Sequence, residues 1–383
     1  MSHARTRDAA ADNKVPPDST ALLTIDLNAL IANYDRLREL AAPAECAAVV
    51  KADAYGLGVT EVAPALWRAG CKTFFVATLP EAEELRALLP EAVIYVFSGL
   101  LPGTADIYRK ADLRPVLNSA EEIREWAAQC SRYGEALPCA VHIDSGMNRL
   151  GLTAADVEAV SNNRELWSAL SLSLVMSHLA CADDASHAKN AAQRDIFDSL
   201  RARLPETRAS LANSAGILLG ADFVYDLVRP GIALYGGHPQ RRGPNPFQPV
   251  VHLIGRILQV REAEPGETVG YGATRTLPNG ARIAIVSVGY ADGLFRALSV
   301  ADGGEGLAVR IGDHAAPILG RVSMDLIAID VTDVPKTHAR RGEWVELLGH
   351  NISAHDLASH ADTIDYEVLT SLGRRAVRRF VGG

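Results

Sequence analysis

Short apolar runs alternate with amphipathic stretches along the first two-thirds of the chain. The runs at 47–50, 73–77, 93–97, 114–117, 139–143, 172–177, 208–212 and 225–228 are rich in Val, Ile or Phe or are flanked by turn chemistry, and read as strands. Helical patterns lie between them, and one more, at 27–40, precedes the first strand. Ser119 stands three residues before Glu122 and ahead of Ile123 and Trp126, which predicts a capping box with Ser119 as N-cap. Pro80 opens another helix, whose apolar positions include Leu85, Leu88 and Leu89.

Strand–helix alternation predicts a parallel sheet, because parallel strands need crossover helices. About eight such units within 21–245 favour a closed (β/α)8 barrel of the TIM type over an open doubly wound sheet. The open sheet would also carry a G-x-G-x-x-G turn after its first strand, and none is there. The texture changes at Pro244, Pro246 and Pro249, a linker candidate. Beyond it, 251–261, 282–289, 307–311, 318–330 and 344–347 read as strands, with helical patterns only at 354–360 and 365–372. The pairs Gly266-Glu267, Asn279-Gly280 and Arg341-Gly342 read as turns. The expected fold class is therefore α/β, a barrel over 21–245 followed by a mostly β domain over 246–383, with a polar leader at 1–20.

Composition narrows the function. At 383 residues, 48% hydrophobic and 22% charged, the chain is too long for one small domain and ordinary for a soluble protein. A net charge of −8 argues against general nucleic-acid binding, which needs clustered Lys and Arg. The most basic stretch, Arg374, Arg375, Arg378 and Arg379, is short and close to the C-terminus. Five cysteines, odd in number and without a C-x-x-C pair, argue against a disulfide framework and for a reducing, cytoplasmic setting. No apolar run is long enough to span a membrane, and the first residues lack a signal-peptide core.

In a barrel, chemistry sits at the C-terminal ends of the strands. The first strand runs through Val49 and Val50 into Lys51. An inward lysine at the mouth is desolvated, which lowers its pKa and frees the amine as nucleophile or base. A lysine snorkelling to solvent is the other reading, and spacing alone favours it. Residues 49–58, Val-Val-Lys-Ala-Asp-Ala-Tyr-Gly-Leu-Gly, resemble the pyridoxal-phosphate attachment motif of the alanine racemase family. The resemblance continues over about 22–381, and it implies the same barrel-plus-β architecture.

It also implies a set of site residues. Lys51 forms the Schiff base with pyridoxal 5′-phosphate. Ser214, which follows the seventh strand and alone would read as an N-cap, matches a phosphate ligand, as do the amides of Gly231 and Ile232 after the eighth strand. Tyr55 and Tyr366 match phosphate-contacting tyrosines. Arg229 matches the arginine facing the pyridine nitrogen, and His178 the relay beside it. Arg149 matches the arginine near the phenolic oxygen and the substrate carboxylate. Many family members carry a lysine, often carbamylated, where this chain has His142, and a neutral histidine cannot supply that negative charge. The resemblance leaves an anion such as chloride, or a nearby carboxylate, to replace it.

In the second domain, Tyr271 stands between Gly270 and Gly272 and matches a second catalytic base that reaches the partner subunit's barrel. Met324 and Asp325 match a segment that binds the substrate carboxylate, and Ser323 replaces the cysteine of some members. Tyr290, in Gly-Tyr-Ala-Asp-Gly, matches a residue that narrows the entrance. The implied activity is interconversion of L- and D-alanine by two bases in a homodimer with shared sites, acting on a small amino acid. Racemisation of serine or lysine is the alternative, and the resemblance leaves open whether the D-alanine serves cell-wall precursor synthesis or catabolism. A pyridoxal-phosphate decarboxylase of similar architecture would show a His-x-Gly-Ser string and a late cysteine, and the last cysteine here is Cys181. A single-barrel cofactor carrier would lack the second domain altogether.

Overall fold

A computed structural model describes residues 16–240 and 242–383. Most of the expected leader, residues 1–15, lies outside the described residues. Ser19 and Thr20 are not loose: the Ser19 carbonyl accepts from Arg256 Nε at 2.9 Å and the Thr20 carbonyl from the Arg256 backbone N–H at 2.8 Å.

Two compact units divide the chain. The first, residues 26–250, is a closed parallel barrel. Its strands are Glu45–Cys46 continued by Ala48–Val49, then Thr73–Val76, Val93–Val96, Arg114–Leu117, Pro138–His142, Ser171–Met176, Ala209–Ser210 and Leu227–Val228. The last strand pairs in parallel with Glu45–Cys46 and bridges to the seventh through Asn213 and Arg229, which closes the ring. These strands are short and mostly buried on both faces, so they show as unbroken apolar runs rather than alternations. The helix Leu27–Ala41 buries Leu27, Leu30, Tyr34, Leu37 and Ala41, one face of a 3.6-residue period, and Asp26 caps it by accepting from the Asn28 and Ala29 N–H groups.

The box expected at Ser119 forms only in part. Ser119 Oγ accepts from the Glu122 N–H at 3.1 Å, but the Glu122 carboxylate accepts from Asn118 N–H at 3.0 Å and Leu100 N–H at 3.2 Å. Two loop amides at the barrel mouth needed an acceptor, and a local cap was diverted to them. The proline-rich stretch is no loose linker either. Phe247 and Val250 are buried, and Gln248 exchanges hydrogen bonds with the Asn33 side chain at 2.8 and 2.9 Å.

The second unit holds residues 251–381 together with residues up to Ile25. Its sheet runs Ala281–Val286, Ile327–Asp330, His314–Leu319, Ala308–Ile311, Trp344–Leu348 and Val251–Ala263, and the last of these pairs back onto the first. Antiparallel pairing therefore closes these strands into a second ring, extended by Ala21–Asp26 and Val377–Val381. Ala21–Ile25, expected in the barrel span, pairs with 251–255 instead, so the β unit takes a strand from the N-terminal side of the barrel. The single strand expected over 318–330 is two strands, because residues 320–326 leave the sheet as a loop that starts at Gly320, φ +65°.

Candidate active site

Lys51 stands at the mouth end of the first barrel strand, half-buried, with its Nζ 6.0 Å from the centre of the Phe97 ring. Burial lowers its pKa, the charge of Arg149 lowers it further, and Glu81 opposes both. The backbone beyond Lys51 is strained. Ala52, Asp53, Ala54 and Tyr55 all lie near φ +55°, a left-handed turn built from residues with side chains. Such a conformation costs roughly 1–2 kcal/mol per residue. It is held by Ala54 N–H to Val50 O at 2.9 Å, Gly56 N–H to Ala52 O at 2.7 Å and Asp53 Oδ1 accepting from Val59 N–H at 2.7 Å. Glu81 secures its start: one carboxylate oxygen accepts from Ala52 N–H at 2.9 Å, the other from Ala77 N–H at 2.7 Å and Thr78 N–H at 3.2 Å. The lysine thus leads into a backbone with little freedom to relax.

Tyr55 is buried and stacks on Tyr235 with ring centres 4.6 Å apart, and Tyr235 donates to Val49 O at 2.9 Å. A Cβ on Gly231 would collide with Tyr55 Oη, so only glycine brings this backbone against the phenol. Ser214 Oγ accepts from Gly231 N–H at 2.9 Å and Ala233 N–H at 3.3 Å, with Ile232 between them. With its lone pairs engaged, the Ser214 hydroxyl hydrogen is left to donate, as an anionic oxygen requires.

Arg229, 2% exposed, donates to Ser210 Oγ, to Ser177 O at 2.5 Å and to Leu211 O at 3.4 Å. All three acceptors are neutral. Burial lowers its pKa to about 9, so the guanidinium keeps its charge at neutral pH. His178 lies beside it, 3.5 Å from Asn213 Nδ2, and burial together with the charges of Arg229 and Arg149 holds its pKa well below the ordinary histidine value. His142 is also neutral: burial first, then Arg229 and Arg149, push its pKa down to about 4. The Asn118 amide donates to Phe97 O and Val116 O, so its Oδ1 faces His142 Nδ1 at 2.9 Å and the hydrogen resides on Nδ1. His142 therefore brings no negative charge to the mouth. The nearby Asp144 carboxylate instead accepts from the N–H groups of Gly146, Met147 and Asn148, shaping the loop that presents exposed Arg149.

These groups suit pyridoxal phosphate: a desolvated amine, a hydroxyl and tight backbone for the phosphate, and a buried cation to meet the ring nitrogen. The glycine flush against Tyr55 and the Arg229 guanidinium with only neutral acceptors carry that fit.

In the β unit the hairpin Thr268–Val269 with Arg275–Thr276 lifts Tyr271 at its tip, 72% exposed. Gly270 and Gly272 supply the positive φ that the tip needs, +72° and +75°. Tyr290 and Met324 are exposed and are drawn together by Tyr290 N–H to Ser323 O and Ala291 N–H to Met324 O, both 3.0 Å. Exposed Tyr366 sits on the helix Asp365–Thr370. The Asp325 carboxylate, expected at the substrate, is engaged by Arg375 at 2.5 Å. Sequence reasoning gave no site role to Glu81, Asn118, Tyr235, Asp292 or Arg375. Glu81 left a local sign in its spacing from Thr78 at the helix start, and Asp292 in the Gly-Tyr-Ala-Asp-Gly string.

The neutral histidines predict an acid-sensitive fold. A folded pKa below the unfolded one means that the unfolded chain takes up the proton first as pH falls. Stability is therefore complete above about pH 6.5 and is lost down to about pH 4, by roughly 3 kcal/mol for His142 alone. Urea unfolding at pH 7.5 and pH 5 should show the drop, reduced in His142→Asn; an equal drop in both proteins would remove His142 as its source.

The family described as "Alanine racemase, N-terminal domain" matches residues 25–239, and "Alanine racemase, C-terminal domain" matches residues 250–380. The alanine racemase of Methylobacterium sp. (strain 4-46) is 52% identical over 361 residues, covering 94% of this chain and 98% of that protein. That of Rhodospirillum rubrum is 48% identical over 366 residues, covering 95% and 96%. Alanine racemase from Bartonella henselae, whose crystal structure contains covalently bound pyridoxal phosphate, is similar in structure with a TM-score of 0.90 and 40% identity, covering 95% of this chain and 100% of that chain.

Proposed function

The chain belongs to the alanine racemase family, and from that premise we propose which of its residues carry the interconversion of L- and D-alanine. Its activity is alanine racemisation with pyridoxal phosphate as cofactor. When bound, the cofactor delocalises the electrons of the broken Cα–H bond. Everything else falls to the protein. The observation that carries the reading is one barrel mouth holding both desolvated Lys51 and a buried Arg229 with only neutral acceptors.

Lys51 holds the cofactor and, once the substrate amine displaces it, takes the α-proton from the D-isomer. Its lowered pKa keeps a larger share of the amine in the basic form. Ser214, whose Oγ holds the Gly231 N–H, the Ile232 amide, Tyr55 and Tyr366 anchor the phosphate. Arg229 would face the ring nitrogen, and because the guanidinium keeps its own proton it would leave that nitrogen unprotonated. His178, neutral beside Arg229, completes the relay toward the second base. Arg149 faces the substrate carboxylate, its loop set by Asp144. Tyr271 of the partner subunit takes the α-proton from the L-isomer, and the Met324 amide and Tyr290 of the partner subunit bind the carboxylate and narrow the entrance. Tyr271 stands exposed at a hairpin tip, and a partner surface covering it supplies the environment a base requires. The homodimer is part of this proposal.

Among the described residues no helix is long and apolar enough to cross a membrane. All five cysteines are free and four are buried, which supports a cytoplasmic location.

With tyrosines at the entrance, alanine is expected to be the best substrate. A racemisation assay over L-amino acids, read as the loss of optical rotation, should give kcat/KM for serine and lysine lower by roughly tenfold or more. Equal values would replace the alanine-specific reading with a broad-specificity one.

A further inference from the structure

Arg375 belongs to the one basic stretch of the chain that no role above absorbs. It is not a loose surface charge. Its Nε donates to Asp292 Oδ1 at 2.8 Å, its Nη2 to Asp292 Oδ2 at 2.6 Å and its Nη1 to Asp325 Oδ1 at 2.5 Å. The guanidinium fork thus grips one carboxylate with two nitrogens and a second with the third. Asp292 is 3% exposed, and its Oδ2 also accepts from Gly289 N–H at 2.8 Å.

Three segments meet at this clasp: two carry Tyr290 and Met324, and the third follows the helix of Tyr366. The turn Tyr290–Asp292 holds Tyr290, and its N–H groups bind the carbonyls of Ser323 and Met324. A Cβ on Gly289 would collide with those two carbonyl oxygens, so this contact has no slack. The loop at 320–326 holds Met324 and is tied to Arg375 through Asp325. The segment after the helix of Tyr366 returns through Gly373 N–H to Asp292 O at 3.1 Å, and a Cβ on Gly373 would meet Ala291 O at 2.7 Å.

The chemistry of Asp325 points the same way. A bare carboxylate next to the amide that receives the substrate's carboxylate would repel it. Paired with Arg375, Asp325 is neutralised and its loop is fixed. We propose that Arg375 is a positioning residue: acting through Asp292 and Asp325, it sets the Met324 amide and Tyr290 for carboxylate recognition, and so governs substrate affinity more than turnover. This rests on the reading that Met324 receives the substrate carboxylate.

The test uses the holoenzyme and Arg375→Lys, Asp325→Asn, their double variant, and Met324→Pro, which removes the amide N–H. Arg375→Lys keeps a cation against buried Asp292, so the fold is spared an unpaired buried charge. Steady-state kinetics are read beside equilibrium binding of acetate, a carboxylate without an amine, monitored by cofactor absorbance. Arg375→Lys and Asp325→Asn should each raise KM for alanine and the Kd for acetate by roughly tenfold, with kcat falling far less. The double variant should be no worse than the weaker single, since the two residues act as one unit. If Met324→Pro weakens acetate while Arg375→Lys and Asp325→Asn do not, the positioning role is wrong and the Met324 reading stands. If Met324→Pro leaves acetate binding unchanged, the Met324 reading fails and takes this proposal with it.

Discussion

Replacing Lys51 with alanine is expected to lower alanine racemisation by on the order of a thousandfold or more, the largest effect of any single substitution in the barrel. Two functions leave with one side chain. The covalent hold on the cofactor is lost, and so is the base that serves the D-isomer. The environment makes both specific to this lysine: burial and the Arg149 charge lower its pKa, and a left-handed turn secured by Glu81 fixes the adjoining backbone. The purified wild-type protein should be yellow, and borohydride should trap the cofactor on Lys51, identified by mass spectrometry of the peptides. Trapping on another lysine, or a Lys51→Ala protein that still racemises alanine at a comparable rate, would overturn the assignment.

The barrel was legible because its strands are self-announcing. Thr73–Val76 and Val93–Val96 are compact β-branched and aromatic runs that need burial on both faces, as parallel strands covered by crossover helices have. The strand Ala21–Asp26 was not legible, since its partner begins at Val251 and no local pattern encodes a pairing across that distance. The run at 318–330 misled for the opposite reason: apolar residues on both sides of a site loop look continuous until the loop leaves the sheet.

The site divides along the same line. Motif residues stand in short strings, so Lys51, Tyr55 and Gly231 could be proposed from sequence. The residues that hold them could not. Glu122 has the spacing of a local cap, yet its carboxylate serves loop amides at Asn118 and Leu100. His142 reveals by its identity that a charge is missing, but not that Asn118 fixes its tautomer. Arg375 and Asp325 are charged residues of a kind normally solvated, and their pairing exists only once three segments have converged. Sequence strings report what meets the substrate. Support comes from long-range contacts, which have no string.

The role of Tyr271 is decided by mixing two crippled chains. Lys51→Ala and Tyr271→Ala should each be nearly inactive alone, since every site in either homodimer lacks one base. In a mixed dimer with sites shared across a twofold axis, one site combines both defects and stays dead. The other takes Lys51 from one chain and Tyr271 of the partner subunit, and is intact. With random equal pairing about half the dimers are mixed and each has one good site of two, so about a quarter of all sites should recover. Coexpression with two affinity tags isolates the mixed dimer, in which the recovered share rises to about half. The exposed hairpin tip makes the alternative concrete: if Tyr271 served the barrel of its own chain, every site in the mixed dimer would still carry one defect, and mixing would restore nothing. That result would discard the shared site and, with it, the environment proposed to turn an exposed phenol into a base.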